Sequence, residues 1–220
     1  MSVHLQRDLD RLKREILTLG EMVESATNNA MLALNNRLPE LAESVIEAEN
    51  AIDVKEVLIE EACLKILALH QPVAIDLRFI VLVLKVNNDL ERMGDFAANV
   101  AARAISLSNE APIPFPTDFS QTMPSRIRTM VHNSLDALVK LDVVLAREVI
   151  EMDNKVDAIN RQMYVELQTL MESDSSTIKR AIELLSTSRY LERIADLATN
   201  IAEEVVFLVE GEVIRHSSGS

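Results

Sequence analysis

The chain writes one helical segment twice. Residues 87–101 read NNDLERMGDFAANVA, and residues 187–202 read TSRYLERIADLATNIA. At an offset of 101 residues, Leu90, Glu91 and Arg92 align with Leu191, Glu192 and Arg193, Asp95 with Asp196, and Asn99 with Asn200. The register extends upstream, where Leu77, Arg78 and Leu84 meet Ile178, Lys179 and Leu185. Such self-similarity in a 220-residue chain restricts the fold to two copies of one unit of about 100 residues.

The unit is helical. Glycine is scarce at 4 residues and aromatics make up 3%, while Ala, Leu, Val, Ile, Glu and Met dominate, a composition that favours long helices. Four of the 6 prolines fall between Ser108 and Pro124 and stop the helices there. On either side the pattern predicts three helices: 3–36, 39–69 and 72–108, then 125–145, 147–171 and 177–210. Pro72 is read into the first turn of the third helix, and ESDSS before the sixth supplies N-cap candidates. Leu5, Leu9, Leu12, Ile16 and Leu19 give the first helix its packing stripe. The expected fold class is all-α, two tandem antiparallel three-helix bundles. The bundles are placed at 1–107 and 122–214, with a Pro-rich linker at 108–121 and a disordered tail at 215–220.

Several function classes drop out. A net charge of −13 argues against a nucleic-acid partner, which needs a basic face. The longest apolar run, FIVLVLKV, is broken by Lys85 and is too short to span a membrane. The start is charged and carries no leader pattern. The lone Cys63 reads as a small core residue of a reducing compartment, so a cytoplasmic location is expected.

The repeated acids are the candidate site. On a wheel of 100° per residue, Glu91 and Asp95 lie one turn apart at the edge of an apolar stripe with Ile80, Leu84, Ala98 and Ala102. Arg78, Lys85, Arg92 and Arg103 take the solvated arc. Glu192 and Asp196 repeat the arrangement beside Ala181, Leu185 and Thr199. The second helix of each half carries the same spacing, Glu49 with Asp53 and Asp153 with Asp157, at an offset of 104. With 35 acidic residues, chance supplies roughly five or six i,i+4 pairs, and the chain has six. Placement distinguishes four of them, because they recur at matching points of the duplication. The others, Glu43/Glu47 and Glu56/Glu60, have no acid-pair counterparts.

Like charges one turn apart beside apolar surface repel, and a cation removes that penalty. Facing pairs from neighbouring antiparallel helices put four carboxylates around one centre in each half, with Asn99 and Asn200 as additional carbonyl donors. An all-oxygen donor set suits Mg²⁺, Ca²⁺, Mn²⁺ or iron, singly or in multinuclear centres. None of His4, His70, His132 and His216 follows a Glu by three residues, the spacing of di-iron carboxylate enzymes. No Ser-His-Asp set or phosphate-cradling Gly loop is visible. The residues favour a binding protein without catalysis; a carboxylate enzyme and a plain helical scaffold without metal stay open.

The strings HQPVAIDLRFI, DLERMGD, YLERIAD and VFLVEGEVIRH resemble the PhoU family of bacterial phosphate-uptake regulators, over almost the whole chain. The resemblance implies two three-helix bundles whose E/D-x-x-x-D pairs hold surface metal clusters at Glu49, Asp53, Glu91 and Asp95, and at Asp153, Asp157, Glu192 and Asp196. Family clusters contain iron or zinc. The donor set here favours iron, with manganese, magnesium and zinc as the other choices. The implied role is negative regulation of phosphate uptake and of the starvation response. It would work through binding of the phosphate ABC transporter ATPase and a sensor histidine kinase, with only peripheral membrane association. Broad helical faces leave room for a homodimer.

Overall fold

The computed structural model describes residues 3–211. Among these, six long helices carry the fold: α1 (Val3–Asn36), α2 (Pro39–His70), α3 (Ala74–Ser108), α4 (Thr117–Lys140), α5 (Val143–Ser173) and α6 (Ile178–Glu210). A single 3-10 turn, Ser175–Thr177, precedes α6. The result is two sequence-related three-helix bundles in tandem. The end of the second expected bundle and the tail at 215–220 lie outside the described residues.

α1 follows its stripe, with Leu5, Leu9, Leu12, Ile16 and Leu19 all buried. Three boundaries differ from the sequence reading. α4 starts at Thr117, not Ser125, so the coil between the halves covers only 109–116. Buried Phe119 and Met123 extend the apolar face of α4 upstream of Pro124. Pro124 lacks the N–H that would bond Ser120 four residues back, and Asn35 Nδ2 donates to that freed carbonyl from α1 at 2.9 Å. The break between α4 and α5 falls at Leu141, not at 145–148. Leu141 takes a left-handed φ of 55° and Asp142 caps α5 by accepting from the Leu145 N–H at 3.1 Å. Pro72 is buried two residues ahead of α3 rather than within its first turn.

The bundles meet along two antiparallel helix pairs. α1 crosses α4 where Gly20 lies against Leu135, Glu24 against His132, and Asn35 against Ser120. α3 runs antiparallel to α6, joined by Lys85–Glu204 at 3.2 Å and Arg103–Glu183 at 3.1 Å, with Phe96 stacked on Tyr190 at 6.0 Å. α2 packs on α1 and α3, and α5 on α4 and α6, so these two helices flank the assembly. The buried side chains form one apolar cluster running through both halves. Arg37 ties the connecting coil down by donating to the carbonyls of Ser108 and Glu110, while Lys179 pairs with Glu110. Among the described residues no helix is long and apolar enough to cross a membrane.

Candidate functional site

The α2–α3 seam brings the first four acids together. Asp53, Glu91 and Asp95 place carboxylate oxygens within 4.8 Å of one another. Glu49 joins them: burial pushes its carboxyl above the usual range, and neighbouring Asp95, Asp53 and Glu91 push it further. Burial likewise raises Glu91, followed by repulsion from Asp95, Asp53 and Glu56. These are the signatures of acids crowded without a counter-charge.

The seam is close because Gly94 lies in it. A Cβ on Gly94 would stand 3.0 Å from Ile52 Cδ1 and 3.1 Å from its Cγ2. Ile52 precedes Asp53, and Gly94 precedes Asp95, so this contact sets the distance between the two acid pairs. The matching positions of the second half are Val156 and Ala195, both fully buried. At these positions α5 carries one methylene fewer than α2, and α6 one methyl more than α3. The signal for this contact was present in the sequence as a glycine in mid-helix, next to the acid pair.

The second quartet lines the α5–α6 seam, with Asp153, Asp157 and Glu192 half-buried and Asp196 exposed. The Asp153 carboxyl is pushed from 3.8 to about 6, first by burial and then by Asp196, Asp157 and Glu192. Burial also raises Glu192 and Asp196, with repulsion from the neighbouring acids added. Arg161 approaches Asp157 at 3.5 Å from one exposed side. Asp153 Oδ1 and Thr199 Oγ1 are buried beside each other, and the Thr199 hydroxyl, acting as a hydrogen-bond donor, only partly offsets the upward push on the Asp153 carboxyl. A buried carboxylate inside a ring of like charges, with one hydroxyl beside it and no counter-charge, is an arrangement that a hard cation satisfies. Mutual repulsion thus links the four acids of each half, and among the described residues Asp53, Glu91 and Asp95 are the set whose carboxylate oxygens all lie within 4.8 Å of one another.

The two asparagines behave differently. Asn99 turns its amide onto the Asp95 carbonyl at 2.8 Å. Asn200 lines a groove with Lys85, Val86, Asn88 and Asp89. The histidines also stand apart: His70 pairs with Asp8 at 3.0 Å and His132 with Glu24 at 3.3 Å. Cys63 is fully buried and its thiol is pushed up to about 12 by burial, the behaviour of a core residue rather than a nucleophile.

Fold and site define a class: all-α proteins that repeat a three-helix unit carrying an acid quartet between its second and third helices. The PhoU domain model matches residues 6–104 and again 121–205. The phosphate-specific transport system accessory protein PhoU homolog of Aquifex aeolicus is 41% identical over 96% of both chains. The Escherichia coli phosphate-specific transport system accessory protein PhoU is 32% identical, covering 100% of this chain and 90% of that one. The crystal structure of PhoU from Pseudomonas aeruginosa superposes with a TM-score of 0.89 at 38% identity, over 94% of this chain and 99% of that one. The chain belongs to the PhoU family.

Proposed function

We propose that this protein is a cytoplasmic accessory protein of phosphate transport that negatively regulates phosphate uptake and phosphate-starvation signalling. The observation that carries this reading is the match, along nearly the whole chain, to accessory proteins of phosphate-specific transport. The similarity to the crystal structure of the phosphate transport system regulatory protein PhoU from Streptococcus pneumoniae, at a TM-score of 0.87 and 29% identity, supports the transport part of this reading. In this reading the protein binds the ATPase of the phosphate ABC transporter and a sensor histidine kinase, without nucleic acid and without catalysis, and self-associates as a homodimer. Deleting the gene and measuring phosphate uptake and a starvation-promoter reporter in phosphate-rich medium tests it. Constitutive reporter expression that the intact gene reverses is the expected result; a reporter that stays off overturns the regulatory role.

We further propose that each acid quartet is a metal centre. Glu49, Asp53, Glu91 and Asp95 would hold one set of ions, and Asp153, Asp157, Glu192 and Asp196 the other. Asn99 and Asn200 would serve as outer donors. The all-oxygen donor set favours iron, manganese or magnesium over zinc. Bound cations would cancel the repulsion and clip the second helix of each half to the third. Elemental analysis of protein purified without chelator, compared with a Glu91→Gln/Asp95→Asn/Asp153→Asn/Asp157→Asn variant, tests the assignment. Metal retained equally by both proteins would sink it.

A further inference from the structure

The two quartets are supported by unlike joints. Glu56 stands one turn after Asp53 on α2; at the matching offset of 104, Asn160 stands one turn after Asp157 on α5. Their partners differ in step. Asn87 of α3 is 1% exposed, and its Nδ2 donates at 2.9 Å both to Glu56 Oε1 and to the Glu56 carbonyl. Ser188 of α6, its counterpart, is fully buried and donates to Asn160 Oδ1 at 2.7 Å. One side-chain hydrogen bond between the second and third helices is thus built twice, with a charged acceptor in the first half and a neutral one in the second.

The hydrogen bond itself needs no charge, since Asn160 accepts from Ser188 as a neutral amide. Glu56 instead adds a fifth carboxyl to a crowded group. It stands three residues after Asp53 on α2, and Asn87, which holds it, stands four residues before Glu91 on α3, so the hydrogen bond sets Glu56 one turn along the seam from both acids. Asn87 orients the carboxylate through Oε1 and leaves Oε2 to accept from elsewhere. The Asn87 Oδ1, buried beside it, has no donor. A buried amide that fixes the angle of a carboxylate is the support that ligating carboxylates use.

Resting on the metal reading above, we infer that Glu56 is a fifth carboxylate ligand of the first centre, positioned by Asn87, and that this centre binds divalent cations more tightly than the second. The test uses the full chain and Mn²⁺ as the probe, with free ion measured by electron paramagnetic resonance and heats by titration calorimetry. Asp153→Asn/Asp157→Asn isolates the first centre, and Glu91→Gln/Asp95→Asn the second. The first is expected to hold Mn²⁺ more tightly. In the first background, Glu56→Gln keeps the hydrogen bond to Asn87 and weakens Mn²⁺ binding about tenfold or more. In the second background, Asn160→Glu tightens it. Asn87→Ser, which copies the partner found in the second half, weakens the first centre and serves as the second variant should Glu56→Gln unfold. Unchanged Mn²⁺ affinity after Glu56→Gln, with both centres loading, overturns the role of Glu56 and leaves the metal reading standing. Wild-type protein that takes up no Mn²⁺ overturns both.

Discussion

Among the acids of the described residues, Asp153 is pushed furthest above its ordinary value. Its folded value of about 6 stands above the ordinary 3.8, so between those pH values the folded chain holds a proton that the unfolded chain has released. Stability therefore falls as pH rises through that window, and the destabilisation is fully present above about 6. Asp153→Asn removes the charge. In chelator at pH 7.5 the variant is expected to melt several degrees above wild type, and the gap should close as pH approaches 4. Melting followed by circular dichroism across pH checks this; a gap that widens on acidification has the wrong sign. Added Mn²⁺ is expected to raise the wild type more than the variant. These acids stand out in the sequence as candidates, because duplication marks them out from equally spaced neighbours. Their unequal burial is not legible there: Asp153 loses water through the way α5 and α6 pack, and the i,i+4 spacing is the same for a buried pair as for an exposed one.

At the level of the helix, the Gly94–Ile52 contact predicts a compensated pair. Gly94→Ala puts a methyl 3.0 Å from Ile52, an overpacking expected to cost about 1–3 kcal/mol. Ile52→Val alone leaves a gap and costs about 1 kcal/mol. The double variant copies the residues at the matching positions of the second half, Val156 and Ala195, so the costs should be far from additive, with a coupling of about 1 kcal/mol or more. Urea unfolding of the four proteins measures it; strictly additive losses would show that the two seams are not packed by the same rule. A second prediction concerns the end of α2. Gln71 holds a φ of 45° as the C-cap of this helix and is followed by Pro72. A left-handed residue before proline is strained unless it is glycine. Gln71→Gly is expected to stabilise by about 0.5 kcal/mol, the relief of strain outweighing the added freedom of the unfolded chain. The same device explains why helix ends were the least legible feature. Leu141 and Gln71 terminate helices without the glycine that normally announces a stop, and Pro124 sits inside a helix because Asn35, distant in sequence, donates to the Ser120 carbonyl that the proline leaves unbonded.

For the molecule as a whole, the antiparallel α1–α4 and α3–α6 pairs make the duplicated halves one mechanical unit. A single apolar cluster passes from one half into the other, and Phe96, two residues from the Gly94 contact, stacks on Tyr190, two residues from Glu192. Tandem bundles joined only by the coil at 109–116 would unfold independently; halves sharing a core should not. A cation held at one quartet stabilises the folded state by an amount set by its concentration and affinity, and a shared core passes that stabilisation to the other half. In Asp153→Asn/Asp157→Asn, which leaves only the first centre, Mn²⁺ is therefore expected to slow hydrogen exchange in α6 as well as in α2 and α3. The slowing should be largest for those core amides that exchange by global unfolding. Gly20→Val supplies the control. A Cβ at Gly20 already falls 2.0 Å from Leu135 Cδ1, so the larger side chain must displace the buried Leu135 side chain and loosen the packing of α1 on α4. In that background the protection of α6 by Mn²⁺ should shrink while the protection of α2 and α3 remains. Equal protection of α6 with and without the Gly20 substitution would mean that coupling runs through α3 and α6 alone. No protection of α6 in either protein would mean that the halves are energetically separate despite their common core.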